Sequence, residues 1–188
     1  SKGVAKPIIE SLVSLPLVLP PTVIGFYLLM AFSPNRFVGS FVSEWLNIRV
    51  IFSFEGLVFA SVIYSLPFMV HPLQAGFQGL PVSIKEAAYT LGVPPFRTLW
   101  KVLLPNIKSS LLTGITLTFA HTMGEFGVVL MIGGNIPGVT RVASIAIYDE
   151  VEKMNYQSAG FYSGVLLLIC FLILLIMFII NRKMSLKL

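Results

Sequence analysis

Charged residues leave three long gaps in this chain, and a fourth is broken by a single acid. Residues 11–35 carry no charge over 25 positions, and residues 56–84 carry none over 29. At a rise of about 1.5 Å per residue, either run can cross a hydrocarbon core of about 30 Å as a helix. A third span is expected over residues 107–132, where Glu125 interrupts the apolar run. A fourth is expected near 159–180, inside an uncharged run from 154 to 181. The pattern predicts an all-α, polytopic membrane bundle with four spans, read as one domain over residues 1–188.

The spans differ in their polar content. The first contains Pro16, Pro20 and Pro21, which should kink or break its helix and free backbone carbonyls. Irregular backbone at membrane depth survives only against protein or a water-filled cavity. The segment therefore faces a translocation path or a partner, or else it is a proline-rich entry at the interface. His71 in the second span reads as a polar group near the interface with a local partner, rather than a proton relay. The third span is the most polar, with Thr113, Thr116, Thr118, His121, Thr122 and Glu125. Thr118, Thr122 and Glu125 fall at helical spacing on one face, a candidate stripe along a translocation path. Gly124-Glu125-Phe126-Gly127 is a candidate break, which would put Glu125 in water near the outer end. There it could hold a gate or pair with a basic residue.

Basic residues set the orientation. Four spans put both ends on one side, together with the stretch between spans two and three. That side collects Lys2, Lys6, Lys85, Arg97, Lys101, Lys108, Arg182, Lys183 and Lys187, nine residues. The other side has four: Arg36, Arg49, Arg141 and Lys153. The excess marks the nine-residue side as cytoplasmic. The net charge of +5 is thus a membrane-topology signal and not a nucleic-acid surface. Trp45 suits an interfacial anchor in the short link after the first span. Gly133, Gly134, Asn135, Pro137 and Gly138 mark turns in the link after the third.

Residues 83–105 form the one long amphipathic interruption, and they read as two short helices. Ser83 and Glu86 have capping-box spacing at the start of the first. Ala87, Ala88 and Leu91 continue it. Gly92 then sits where a left-handed residue is wanted, and Pro94 and Pro95 follow. Pro95 is placed to open the second helix. There Phe96, Leu99, Trp100 and Leu103 make one apolar face, with Arg97, Thr98 and Lys101 off it, and Pro105 stops the helix. An interfacial amphipathic helix would explain the basic residues but not the glycine break.

The same stretch resembles the signature loop of ABC importer permeases. Its pattern is E-A-A, three residues, Gly, nine residues, then aliphatic-x-Leu-Pro. The positions here are Glu86, Ala87, Ala88, Gly92, Val102, Leu104 and Pro105. Val102 stands where Ile is more usual. The blocks from Gly124 to Gly138 and from Ser144 to Asp149, with Leu15 to Leu29, resemble the molybdate permeases. Sulfate permeases share part of these blocks, and Gly138 with Ala146-Ile147-Tyr148-Asp149 favours molybdate.

The resemblance implies a type I importer fold, with Glu86, Ala87, Ala88, Gly92, Leu104 and Pro105 coupling to an ATPase. It implies a homodimer with a second copy, an ATP-binding subunit on the cytoplasmic face, an external oxyanion-binding protein and a bacterial or archaeal inner membrane with its lipid. No cofactor or nucleic-acid partner is implied, and ATP hydrolysis would belong to the partner. The family has one more N-terminal span. With Ser1 in first place, the sequence is expected to lack an upstream part.

Other classes fit less well. Charged residues make up 11% of the chain, against about 25% in soluble domains. Cys170 is the single cysteine and lies in an apolar run, and no Cys/His cluster suggests a metal. A membrane enzyme needs clustered catalytic groups, which two separated histidines and one cysteine do not supply. No G-x-x-x-x-G-K-[ST] loop is present, so the chain is not itself the ATPase. An ion-coupled secondary transporter would show inverted repeats and intramembrane ion ligands, and neither is evident. Sulfate, thiosulfate and tungstate remain alternative cargoes.

Overall fold

A computed structural model describes residues 4–46 and 49–185. Lys2 and Lys187, counted above on the cytoplasmic side, lie outside the described residues. All regular structure among the described residues is helical. Two helices are long and apolar enough to cross a membrane singly: α4 (Phe54–Gln78) and the Tyr156–Lys183 part of α11 (Tyr156–Ser185). The count reaches four if each of two bent helix pairs is one span. The chain divides into two compact units, Ser1–Pro67 with Ala120–Phe171 and Phe68–Phe119 with Leu172–Leu188.

In the first unit, the proline-rich run is not one straight helix. It forms α1 (Ala5–Val18) and α2 (Pro21–Ala31), bent by 117° about Leu19 and Pro20. Pro21 lacks the N–H that a helix interior needs, so it begins a helix instead of continuing one. The link after it is more ordered than its composition suggests, since α3 (Phe37–Leu46) forms there. On α3, Trp45 is exposed and stacks on Phe41 at 5.7 Å.

The third expected span also breaks. α8 (Lys108–Gly124) ends before Glu125, and α9 (Gly127–Gly133) restarts after Phe126. α10 (Ala143–Glu152) follows the glycine-rich turns. The core of this unit joins Ile24, Leu57, Ala60, Tyr64, Val128, Val129, Ile132 and Ile145. α2 and α9 touch closely because Gly127 has no side chain, and a Cβ there would lie 2.7 Å from Pro21 Cβ.

The turns after α9 are fixed by polar bonds. Thr140 is buried, and its hydroxyl donates to the Gly133 carbonyl at 2.6 Å while accepting the Ile136 N–H at 2.8 Å. Asn135 donates to both Asp149 oxygens, and Arg141 pairs with Asp149 at 3.2 Å.

The second unit holds the amphipathic stretch, as α5 (Val82–Thr90), α6 (Pro95–Thr98), a widened π-helical turn (Leu99–Leu103) and α7 (Leu104–Asn106). Elsewhere in the unit Asn181 of α11 bridges to α8. It accepts from the Ser109 hydroxyl at 2.8 Å and donates to Thr113 at 3.3 Å.

Candidate functional site

The glycine break in residues 83–105 forms as the sequence predicts. α5 ends at Thr90, and Gly92 takes φ +68°, the left-handed conformation that a Cβ disfavours. The Gly92 N–H donates to Tyr89 O and the Val93 N–H to Ala88 O, both at 3.0 Å, so the last carbonyls of α5 are satisfied. No atom lies within 4 Å of a Cβ placed at Gly92, so the backbone angle alone requires glycine. Pro95 opens α6 as expected.

Two expectations for this stretch are corrected. The Ser83/Glu86 capping box does not form. Pro81 takes the N-cap place with no side-chain cap bond, which puts both residues inside α5. Pro105 does not stop the second helix. Its ring excludes the carbonyl four residues back, that of Lys101. The chain makes room by widening, so that the Leu104 N–H donates to Leu99 O, five residues back. The helical path ends at Ile107, where the direction turns by 76° into α8.

The expected apolar face forms and is turned outward, with the Phe96 and Trp100 ring centroids 6.2 Å apart. Phe96 is 73% exposed and Trp100 58%, while Thr98, expected off that face, is 1% exposed. The Thr98 hydroxyl donates to the Pro94 carbonyl at 3.2 Å and lies 3.3 Å from that of Val93. It pins the turn to the start of α6. Glu86 and Ala87 on α5 are exposed, whereas Ala88 is buried, and Leu104 and Pro105 lie on α7. The stretch thus presents aromatic side chains outward, beside Lys85, Arg97 and Lys101, which are also exposed.

The polar stripe of the third span is divided. Thr118 falls in the second unit, where its hydroxyl oxygen is buried without a hydrogen-bond partner among the described residues. Thr122 and Glu125 fall in the first. Thr122 shares a 2.8 Å hydrogen bond with Ser65, a residue of α4 that the sequence does not single out. Their separation of 57 positions leaves no local pattern to read.

Glu125 is 5% exposed, not set in water, and its Oε1 accepts the Val128 N–H at 2.7 Å. Ser144 of α10 donates to the Glu125 carbonyl at 2.6 Å. An open pocket of about 500 Å³ lies against this break. Thr22, Tyr64, His121 and Glu125 line it, with Pro21 and Gly127 at the starts of α2 and α9. Tyr64 lies within an apolar run and gives no sequence signal, yet it packs on His121 with ring centroids 4.8 Å apart. No three His, Cys, Asp or Glu side chains are grouped to hold a metal among the described residues.

Broken apolar helices and an outward-facing helix–turn–helix element define a polytopic membrane protein of the transporter class. The chain belongs to the family of binding-protein-dependent transport system inner membrane components, whose model matches residues 1–186. It is 46% identical over 175 residues to the molybdenum transport system permease protein ModB of Azotobacter vinelandii, covering 93% of this chain and 77% of that protein. Against ModB of Escherichia coli K12 it is 35% identical, over 82% of this chain and 68% of that one. Against a probable sulfate transport system permease protein cysT of Marchantia polymorpha it is 36% identical, over 94% of this chain and 60% of that one. The chain therefore spans about three fifths of the sulfate-system relative.

Proposed function

We propose that this chain is the membrane-spanning subunit of an ATP-driven importer that receives molybdate from an external binding protein and passes it to the cytoplasm. The observation that carries the reading is the helix–turn–helix over residues 82–106. Its turn is set by Gly92, and its aromatic side chains Phe96 and Trp100 are exposed among the described residues. Exposed aromatics beside basic residues suit a groove on a partner. Glu86, Ala87, Gly92, Leu104 and Pro105 make this coupling surface, with Ala88 buried beneath it, and the surface docks the ATPase subunit. A second copy of the chain completes the path, and Thr118, Thr122 and Glu125 belong to it.

The higher identity to a molybdenum-system relative than to a sulfate-system one supports molybdate. Import of sulfate is the second reading, supported by 36% identity over 94% of the chain. The test is tracer molybdate uptake into vesicles holding the permease, its ATPase and its binding protein, with excess sulfate or tungstate as competitor. ATP-dependent uptake that resists sulfate and yields to tungstate is expected. Uptake abolished by sulfate would favour the sulfate reading, and uptake driven by an ion gradient without ATP would overturn the importer.

A further inference from the structure

The pocket of about 500 Å³ at the α8–α9 break holds polar groups that the fold leaves unused. Tyr64 is 6% exposed, and its ring is fixed against His121, yet its hydroxyl makes no hydrogen bond among the described residues. A hydroxyl at that depth calls for a partner from solvent or from a ligand. Thr22, at the start of α2, brings a second hydroxyl with no bond among the described residues. Glu125 is 5% exposed and no Lys or Arg lines the pocket, so burial favours its neutral carboxyl. Its Oε1 already accepts the Val128 N–H, which leaves the other oxygen to carry the proton and donate it. The positive end of the α2 dipole, at Pro21 and Thr22, borders the same space.

We propose that this pocket is a transient site for a tetrahedral oxyanion, held by the neutral donors Tyr64, Thr22 and Glu125 without a cationic side chain. The proposal rests on the oxyanion-import reading. An oxyanion accepts at every oxygen, which a set of O–H groups matches. Donors without a full countercharge bind an anion weakly, and a site on a path must release what it takes. The pocket therefore holds the anion in passage and lets it go.

The experiment uses the complete transporter in nanodiscs, in a Cys170→Ala background with Gly124→Cys as reporter. Gly124 lines the pocket, and a Cβ there meets nothing within 4 Å, so the new thiol displaces no donor. Modification of the permease by an uncharged, water-soluble thiol reagent is followed in molybdate, sulfate or chloride at equal ionic strength. Near saturation the transported oxyanion is expected to slow modification about threefold or more relative to chloride.

Tyr64→Phe keeps the ring and removes the hydroxyl. It should raise the concentration giving half protection about tenfold or more, with the rate in chloride unchanged. Thr22→Val makes the same test at an exposed position if Tyr64→Phe does not assemble. Glu125→Gln keeps a neutral donor and should protect within about threefold of wild type. Much tighter protection in Glu125→Gln would mean an ionised carboxyl and overturn the neutral set. Modification indifferent to both oxyanions, or wild-type protection in both hydroxyl variants, overturns the site, while ATP-driven uptake by the same complex leaves the import reading intact. A wild-type transporter without ATP-driven uptake of molybdate or sulfate overturns the import reading and this inference with it.

Discussion

Gly92→Val is the sharpest test of the coupling surface, because the glycine is required for one reason only. A Cβ at this position meets nothing within 4 Å, so packing inside the chain does not oppose a larger side chain. The opposition comes from φ +68°, which costs an L-residue about 1–2 kcal/mol, with β-branched residues the worst placed. Valine escapes by leaving the left-handed region. That abandons the two 3.0 Å bonds ending α5 and redirects α6 with Phe96 and Trp100.

The docking-competent shape then becomes a minor state. Its population, and with it the apparent affinity for the ATPase, falls about 5- to 30-fold. The assay is equilibrium binding of the ATPase subunit to the permease in nanodiscs, with membrane insertion checked separately. Gly92→Asn is the control, since asparagine tolerates this conformation and should lose about threefold or less. Wild-type affinity for the valine variant would refute the conformational argument. Equal loss in both variants would mean that a side chain at position 92 collides with the partner.

Other outcomes follow from the polar bonds. Asn181→Leu removes both bonds between α11 and α8, and at about 0.6 kcal/mol each it should lower stability by roughly 1 kcal/mol in a detergent-solubilised unfolding assay. A double-mutant cycle of Ser65→Ala and Thr122→Ala should return a coupling near 0.6 kcal/mol, and zero coupling would mean the 2.8 Å bond does not persist. Cysteine at Thr122, which is exposed in the chain, should react with a water-soluble thiol reagent in the assembled transporter, and inertness in every nucleotide state would remove it from the path.

The Lys153 ammonium, helped by the Asn155 amide, holds the Glu150 carboxyl below its ordinary value. Its contribution to stability is therefore present above the ordinary carboxyl pKa and lost as pH falls through the lowered one. Glu150→Gln should flatten the acid limb of a melting-temperature profile, which an unchanged profile would contradict.

Sequence and structure agree where one residue type has one backbone meaning. Gly92 could be read because only glycine is comfortable at its angle, and Pro95 because proline begins helices well. Agreement fails where the reading assumes a regular repeat. The stop expected at Pro105 presupposes a helix with a fixed turn, and the π-helical widening lets the chain run past it to Asn106. The same holds for Ser83, whose capping role was pre-empted by Pro81 starting the helix earlier. A charge in an apolar run marked Glu125 for attention. Its surroundings did not show, because Ser144 lies 19 positions away and Tyr64, which lines the same pocket, is an ordinary member of a hydrophobic helix. α3 was hidden because a ten-residue helix in a link resembles any other amphipathic connection.

The bend between α1 and α2 has a consequence for how the protein is made. With 14 and 11 residues, these helices are about 21 and 16 Å long, each too short to cross the bilayer unaided. α2 rests on α9, which the ribosome delivers roughly a hundred residues later. At bacterial elongation rates of about 5–20 residues per second, that delay lasts about 5–20 seconds. For that interval α2 lacks its seat on α9 and has only earlier elements such as α4, whose Phe59 meets Phe32 at 5.0 Å, to shelter it. Mutations that weaken the seat of α2 on α9, such as Gly127→Leu, should therefore lower yield in the membrane more than they lower the activity of the molecules that complete assembly.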